Sequence, residues 1–309
     1  MKINILFVGG AKRVSLIEKF YEAAEREGDD LNIFISDMSP YIPAGKLGQV
    51  ILLPRIDSND FNDCLLDAIE NHGIDIIIPN LDIATVKLAE VAEEVKDLGA
   101  WPLVSSVELC RDMFDKISAD TWFESHNIPT PPREHPPFIL KPRFGCGSKG
   151  IKVFDTVDEA KQWLTKSPDY LLQTFLQGQE YTIDAYVDRS GHLLDCLSRL
   201  RVRVSDGEVE VSKTSRQDDI LDISRTVLEN LGWLGPITLQ FIKNEQGSFI
   251  LEVNPRLGGG VTHSIHCGLD MPRWIIREYK GLEIEPIDQW LNNSLMVRCR
   301  RDFFYDHTG

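Results

Sequence analysis

The sequence predicts an α/β N-terminal parallel-sheet domain followed by α+β domains, a small subdomain and an antiparallel-sheet C-terminal subdomain. Three observations carry this. Residues 1–110 alternate short, fully apolar runs with amphipathic helical stretches, the pattern of a parallel sheet covered on both faces. Residues 127–150 are punctuated by prolines and glycines, as at a linker and a flexible loop. Beyond residue 180, runs with period-2 alternation follow one another across short polar turns, as in antiparallel strands.

In chain order, Ile3–Val8 reads as a buried strand, followed by Gly9-Gly10 and a helix over Val14–Glu27 that stops at Gly28. Strand Asn32–Ile35, a Pro/Gly-rich loop from Asp37 to Gly48, strand Val50–Leu53 and helix Asn59–Asn71 come next. Strand Ile74–Ile78 and one helix over Ile83–Leu98 complete the series. The Gly9-Gly10 turn opens onto a helix, where backbone N–H groups can meet an anion. It is not a dinucleotide fingerprint, because Ala-Lys-Arg-Val-Ser follows in place of GxGxxG. Asp37, Asn80 and Asp82 lie just past strand C-terminal ends, where such sheets bind ligands, and each also suits a cap or turn.

Arg111–His126 reads as one charged helix, ended by the prolines at 129, 131 and 132. Strand Pro137–Pro142 then leads into Arg143-Phe144-Gly145-Cys146-Gly147-Ser148-Lys149-Gly150, a loop whose amides can fold over phosphates. It is not a Walker A loop, since Ile151 stands where the lysine belongs. Ile151–Phe154 returns as a strand, Val157–Lys166 as a helix and Tyr170–Gln173 as a strand.

Tyr181–Val187, His192–Arg203 and Val209–Lys213 read as antiparallel strands. By parity Arg199, Arg201 and Arg203 share one face, which suits an anionic partner or a basic edge that resists aggregation. A helix over Arg216–Leu231 leads to a hairpin. In its first strand, Ile237–Lys243, Gln240 stands on the face opposite Ile237, Leu239 and Phe241. In its second, Phe249, Leu251 and Val253 lie on one face and Ile250, Glu252 and Asn254 on the other. Gln240, Glu252 and Asn254 therefore bring oxygen donors to one surface, the ligand type of a hard cation such as Mg²⁺. Arg256 follows, with a planar fork suited to a phosphoryl group. His263, His266 and Cys267 are too loosely spaced for a zinc set. Asp270–Tyr279 is a last helix, and a strand begins near Ser294.

The 309 residues are 42% hydrophobic and 26% charged, ordinary for a folded protein with proper cores. A net charge of −15 argues against a nucleic-acid partner. The six cysteines form no CxxC or CxxH pair and read as reduced thiols. No run approaches membrane-spanning length, so a cytoplasmic protein without a membrane partner is expected.

Gln240, the run Glu252-Val253-Asn254-Pro255-Arg256 and the glycines that follow resemble the ATP-grasp superfamily, in the branch of the carbamoyl-phosphate synthase large subunit. The strand-borne Lys141-Pro142 before the glycine loop, and Gln173 to Tyr181 as an adenine hinge, extend the resemblance. It implies a pre-ATP-grasp domain over 1–110, a helical linker and ATP-grasp lid over 111–178, and a C-terminal ATP-grasp subdomain with the metal site over 179–309. It implies ATP and Mg²⁺ (or Mn²⁺) as cofactors, with metal on Gln240, Glu252 and Asn254. Nucleotide would be held by Lys116, Lys141, Gly147, Ser148, Gln173, Phe175 and Glu180. Lys141 would contact phosphate and adenine, backbone groups near Gln173 and Phe175 the adenine edge, and Glu180 the ribose. Many relatives carry Glu where Gln173 stands. Arg256, Lys213 and Arg203 would surround the transferred phosphoryl group.

Carbamoyl-phosphate synthase carries such motifs twice over, and this chain carries one set. The implied activity is a stand-alone ligase joining a small-molecule carboxylate to an amine through an acyl phosphate, releasing ADP and phosphate; homodimer formation is left open. The alternative is a non-catalytic ATP-binding sensor or scaffold of the same fold, against which the intact Glu252, Asn254 and Arg256 count.

Overall fold

A computed structural model describes residues 1–145, 147, 149–205, 207–229 and 231–306. The first part of the chain runs β1 (Lys2–Val8), α1 (Val14–Glu27), β2 (Asp30–Asp37), β3 (Gln49–Leu52), α2 (Phe61–His72), β4 (Ile76–Pro79), α3 (Asp82–Glu90), α4 (Ala92–Asp97) and β5 (Trp101–Pro102). Its strands form one parallel sheet in the order β3-β2-β1-β4-β5. The chain leaves β1 toward β2 on one side and comes back to β4 on the other, so the sheet's switch point lies between the ends of β1 and β4. Helix α1 buries Leu16, Ile17, Phe20, Ala23 and Ala24, the 3–4 spacing of one helical face. It ends where Gly28, at φ +68°, turns its N–H back to the carbonyls of Ala24 and Glu25.

Two helices expected to be continuous are broken. Val91 leaves helical geometry at φ −117°, ψ 22° while remaining buried in the core, which divides the expected 83–98 helix into α3 and α4. The expected 111–126 helix is two, α5 (Val107–Phe114) and α6 (Lys116–Ser125). Between them Asp115 is extended, and its carboxylate accepts from the backbone N–H groups of Ile117 at 3.0 Å and Ser118 at 3.4 Å. An aspartate that can cap a new helix competes with continuing the old one. The break puts Lys116 at the first position of α6. Strand β5, two residues long, is too short to show a period and was not expected.

The lid is a three-stranded antiparallel sheet, β7-β6-β8, made of β6 (Phe138–Pro142), β7 (Lys152–Phe154) and β8 (Tyr170–Thr174), with α7 (Val157–Lys166) against it. The third sheet is antiparallel with the order β13-β12-β9-β10-β11-β14. It contains β9 (Gln179–Val187), β10 (Leu193–Ser205), β11 (Glu208–Thr214), β12 (Gly235–Asn244), β13 (Gly247–Asn254) and β14 (Leu295–Val297). Helices α8 (Asp218–Leu228), α9 (Val261–His266) and α10 (Met271–Tyr279) belong to this half.

Three cores organise the molecule. One fills the face of the parallel sheet under α2 and α3, with Leu6, Phe61, Ile77 and Leu88. The second lies between the antiparallel sheet and helices α5, α6 and α8, with Ile183, Leu239, Phe241 and Trp233. The third joins the halves: Ile5, Phe7 and Phe20 meet Leu257, Ile265, Trp274 and Ile275 in one cluster. The architecture expected from sequence, parallel sheet first and antiparallel sheets after, is the one observed. No helix among the described residues is long and apolar enough to cross a membrane.

Candidate active site

Gln240 and Glu252 face each other across β12 and β13, and Thr238 faces Asn254. Glu252 Oε1 accepts hydrogen bonds from Asn254 Nδ2, at 3.0 Å, and from Gln240 Nε2. The three expected oxygen-bearing side chains are thus in contact. The strict alternation expected for β13 is not observed. Leu251 is an extra residue, because the register slips between the pairs Gln240–Glu252 and Phe241–Ile250. The bulge turns Ile250 into the same core as Val253, so Ile250 does not share the face of Glu252 and Asn254.

A divalent ion fits this donor set. One carboxylate and two amide oxygens are hard ligands, and an amide exchanges its N and O at nearly constant shape by turning over. The surface already accepts positive charge, since the guanidinium of Arg201 donates to Gln240 Oε1. Among the described residues no cluster of three His, Cys, Asp or Glu side chains offers an alternative metal site. His263 is instead buried between the hydroxyls of Ser212, 2.8 Å from Nδ1, and Ser294, 3.2 Å from Nε2. Burial first, then the nearby Arg199 and His266, push its pKa down to about 4.

Across from the hairpin stands the lid. Lys141 on β6 donates to Gln173 Oε1 at 3.0 Å, and Gln173 Nε2 donates to Asp120 Oδ1 at 2.6 Å. Asp120, on α6, also pairs with Arg133. Burial holds the Lys141 ammonium below the ordinary lysine range, with Lys116 acting the same way and Glu252, Asp120 and Glu180 acting against it. Lys141 therefore sits within electrostatic reach of the hairpin carboxylate. Lys116 Nζ donates to Gly145 O at 2.7 Å, and its backbone N–H to Arg143 O at 3.0 Å, so this lysine touches the glycine loop. Gly147 lies against the β10–β11 turn: a Cβ on Gly207 would come within 2.4 Å of Gly147 Cα. Ser148 falls outside the described residues.

The hinge differs in part from expectation. The N–H groups of Thr174 and Phe175 donate to the carbonyls of Pro132, at 2.6 Å, and Pro137, at 2.7 Å. These two donors are spent inside the protein, so neither N–H is open to a ligand. Gln173 is 2% exposed, sealed between Lys141 and Asp120. Glu180 lies 3.5 Å from Arg201 Nε.

The three arginines of β10 do not act as one face. Arg199 is fully buried against Asp184, at 2.8 Å, and Ser264, at 3.0 Å. Arg201 reaches Gln240 and the Gly207 carbonyl. Arg203 is exposed and paired with Glu210 at 2.9 Å, because the register slips on both sides of it. The expectation for Lys213 also meets a difference. It pairs with Leu200, which faces Tyr181, whereas Gln240 faces Thr182 and Thr182 faces Arg199. Alternation thus sets Lys213 on the opposite side of the sheet from Gln240. Arg256 Nε donates to Asp82 Oδ1 at 2.6 Å, tying the hairpin's end to the start of α3.

Asp120, Arg13 and Arg298 are polar residues of this region that carried no signal of their own in the sequence. Arg13 Nη2 donates to Leu257 O at 3.2 Å and Gly258 O at 2.8 Å, and Arg298 Nη2 donates to Gly259 O. Only tertiary structure brings residues 13, 256 and 298 together.

Residues 166–299 match the family model described as "ATP-grasp in the biosynthetic pathway with Ter operon", and residues 5–103 match "PylC-like, N-terminal domain". An ATP-grasp model thus spans the antiparallel sheet of the C-terminal half, and a PylC-like model the N-terminal parallel sheet. Among curated proteins it is similar to carbamoyl-phosphate synthases. The Clostridium perfringens large chain is 28% identical over 135 residues, 39% of this chain and 13% of that protein. The Methanobrevibacter smithii enzyme is 23% identical over 217 residues, 61% of this chain and 59% of that protein. The chain thus spans less than two thirds of the length of either. The biotin carboxylase domain of Hydrogenobacter thermophilus 2-oxoglutarate carboxylase, solved with MgADP, ADP and bicarbonate, superposes with a TM-score of 0.73 at 17% identity, covering 94% of this chain and 72% of that one. N5-carboxyaminoimidazole ribonucleotide synthetase of Thermus thermophilus gives 0.71 at 18% identity, covering 95% and 82%. At these identities the likeness is one of fold.

Proposed function

We propose that this chain is an ATP-dependent ligase that activates a small carboxylate as its acyl phosphate and passes it to an amine or similar nucleophile, releasing ADP and phosphate. The observation that carries this reading is the Gln240–Glu252–Asn254 oxygen cluster lying within electrostatic reach of Lys141. One surface suits a cation, the other suits phosphate, and a nucleotide polyphosphate with its metal has both charges.

In this reading Gln240, Glu252 and Asn254 hold Mg²⁺, which when bound neutralises phosphate charge and polarises the transferred group. Lys141 and Lys116 hold the phosphates from the lid side, Lys116 through the glycine loop it already touches. Gly147 covers them with backbone, and the hinge at Gln173 and Phe175 holds the base. Glu180 faces the ribose hydroxyls once Arg201 releases it. Arg256 orients the attacking carboxylate, and its link to Asp82 fixes its planar fork. Attack brings a carboxylate to a polyphosphate, so the chain's task is to gather positive charge, more than to move protons. Arg201, which reaches Gln240, takes the phosphoryl-facing role expected of Arg203, and Lys213 takes none.

The test is release of ADP and phosphate from Mg²⁺-ATP with amino acids and small carboxylates, singly and in pairs. A pair that stimulates release in the wild type and not in Glu252→Gln supports the ligase. Tight MgATP binding with no stimulation by any pair favours a nucleotide sensor. No nucleotide binding at all sinks both.

A further inference from the structure

Buried donors and acceptors rarely stay unpaired in folded proteins. Arg13 Nε, Arg199 Nη1 and Asn80 Oδ1 are shielded from solvent and have no hydrogen-bond partner among the described residues. All three border one rim. Asn80 follows β4, its N–H donates to Val8 O at the end of β1, and Arg13 lies in the turn after β1. Arg199 Nη1 would be 2.7 Å from a Cβ on Gly260, next to the Leu257 and Gly258 carbonyls that Arg13 holds. This rim is the switch point of the parallel sheet, where open α/β sheets bind ligands.

The charges there do not balance pair by pair. Arg256 has Asp82, Arg298 has Glu208 and Arg199 has Asp184. Arg13 bonds to neutral carbonyls, and no ion pair of it is found among the described residues. Burial, then the guanidiniums of Arg256 and Arg298, lower its pKa to about 10, with Glu208 and Asp184 acting against them. A partly buried cation without a paired counter-charge bears a desolvation cost, and an anion at this rim would offset that cost while using the orphaned donors. The orphaned acceptor, Asn80 Oδ1, asks for an N–H or O–H close by.

We infer that this rim is the anion subsite of the acceptor substrate: Arg13, backed by Arg256 and Arg298, grips a carboxylate or phosphate group, and Asn80 accepts a hydrogen bond from a neighbouring N–H or O–H. The acceptor class is then an anion with an adjacent hydrogen-bond donor, as in an amino acid or a hydroxylated phosphate ester. This rests on the ligase reading and names the class of its second substrate.

Calorimetric titration of the full chain, without nucleotide, tests it with succinate and inorganic phosphate as probes, which separate the two anion types. MgADP binding is measured in parallel. The wild type is expected to bind at least one probe, more weakly as salt rises. Arg13→Gln is expected to weaken that probe at least about tenfold while leaving MgADP affinity unchanged. Arg225→Gln, on the far helix α8, serves as a control and binds as wild type. Wild-type protein that binds neither probe up to about 10 mM overturns the inference. So does Arg13→Gln binding both probes as the wild type does. Should Arg13→Gln fail to fold by circular dichroism, Arg298→Gln decides: a drop of about threefold or more supports the site, and no change overturns it. A wild type that binds succinate or phosphate but no MgADP removes the ligase reading and leaves the anion subsite standing.

Discussion

Two hairpins of the antiparallel sheet carry polar side chains that the same period-2 rule assigned to single faces. In β12–β13 the assignment holds where it matters: Gln240, Glu252 and Asn254 meet. In β10–β11 it does not, and Arg199, Arg201 and Arg203 end in a buried ion pair, at Gln240 and in solvent respectively. Both hairpins contain bulges. The difference is where the extra residue falls. At Leu251 it lies on the turn side of the polar set, so it displaces only residues nearer the turn, from Ile250 to Gly247. On β10 it falls between Arg201 and Arg203, inside the set, and splits it. Parity along a strand is a reliable guide up to the next bulge and no further.

That contrast can be broken or sharpened by substitution. Glu252→Gln should have the largest effect, lowering substrate-dependent ADP release about a hundredfold or more while the circular dichroism spectrum stays that of wild type. Arg201→Gln should cost about tenfold in the same assay, and Arg203→Gln less than about twofold, since an exposed pair contributes little. Equal effects of the two would erase the distinction between these two arginines of β10. Lys141 lies across from the intact hairpin, and burial lowers its pKa. Its charged form is therefore lost at a lower pH than for an exposed lysine. MgADP affinity should fall as pH rises into the alkaline range, and Lys141→Arg should flatten that profile.

The smallest effect concerns the split hairpin, which His263 ties to Ser294 through Ser212. The folded protein holds His263 neutral down to about 4, whereas the unfolded chain takes up a proton near the ordinary value of 6.5. The stabilising contribution is full above 6.5 and is lost as pH falls from there toward 4. Urea titrations across that window should show the decline in the wild type and a shallower one in His263→Gln.

The order of sheets and the meeting of Gln240, Glu252 and Asn254 were legible because they depend on local signals: apolar runs, alternation, and a short motif in one strand. Helix α1 needed only its buried stripe and Gly28. What stayed hidden depends on partners far away in the chain. Asp120 looked like any acid on a charged helix and proves to be 3% exposed, because Gln173 and Arg133 close over it. The break at Asp115 is a choice between two helix geometries that a single sequence leaves open. Arg13 and Arg298 acquire meaning only where the carbonyls of Leu257, Gly258 and Gly259 bring them beside Arg256.

The core shared by the two halves has a consequence for how the chain comes into being. Residues 1–110 leave the ribosome before residues 257–275, yet the face of their sheet that holds Ile5, Phe7 and Phe20 is covered in part by Leu257, Ile265, Trp274 and Ile275. The same boundary is stitched by Arg26 to Asp270 at 2.9 Å, Arg273 to Glu27 at 2.5 Å and Lys280 to Asp29 at 2.6 Å. The segment 1–110 must therefore wait, with apolar surface uncovered, until residues 257–281 have been synthesised. Expressed alone it should aggregate, and adding residues 257–281 in trans should rescue it in part. One half of this protein is finished by the other.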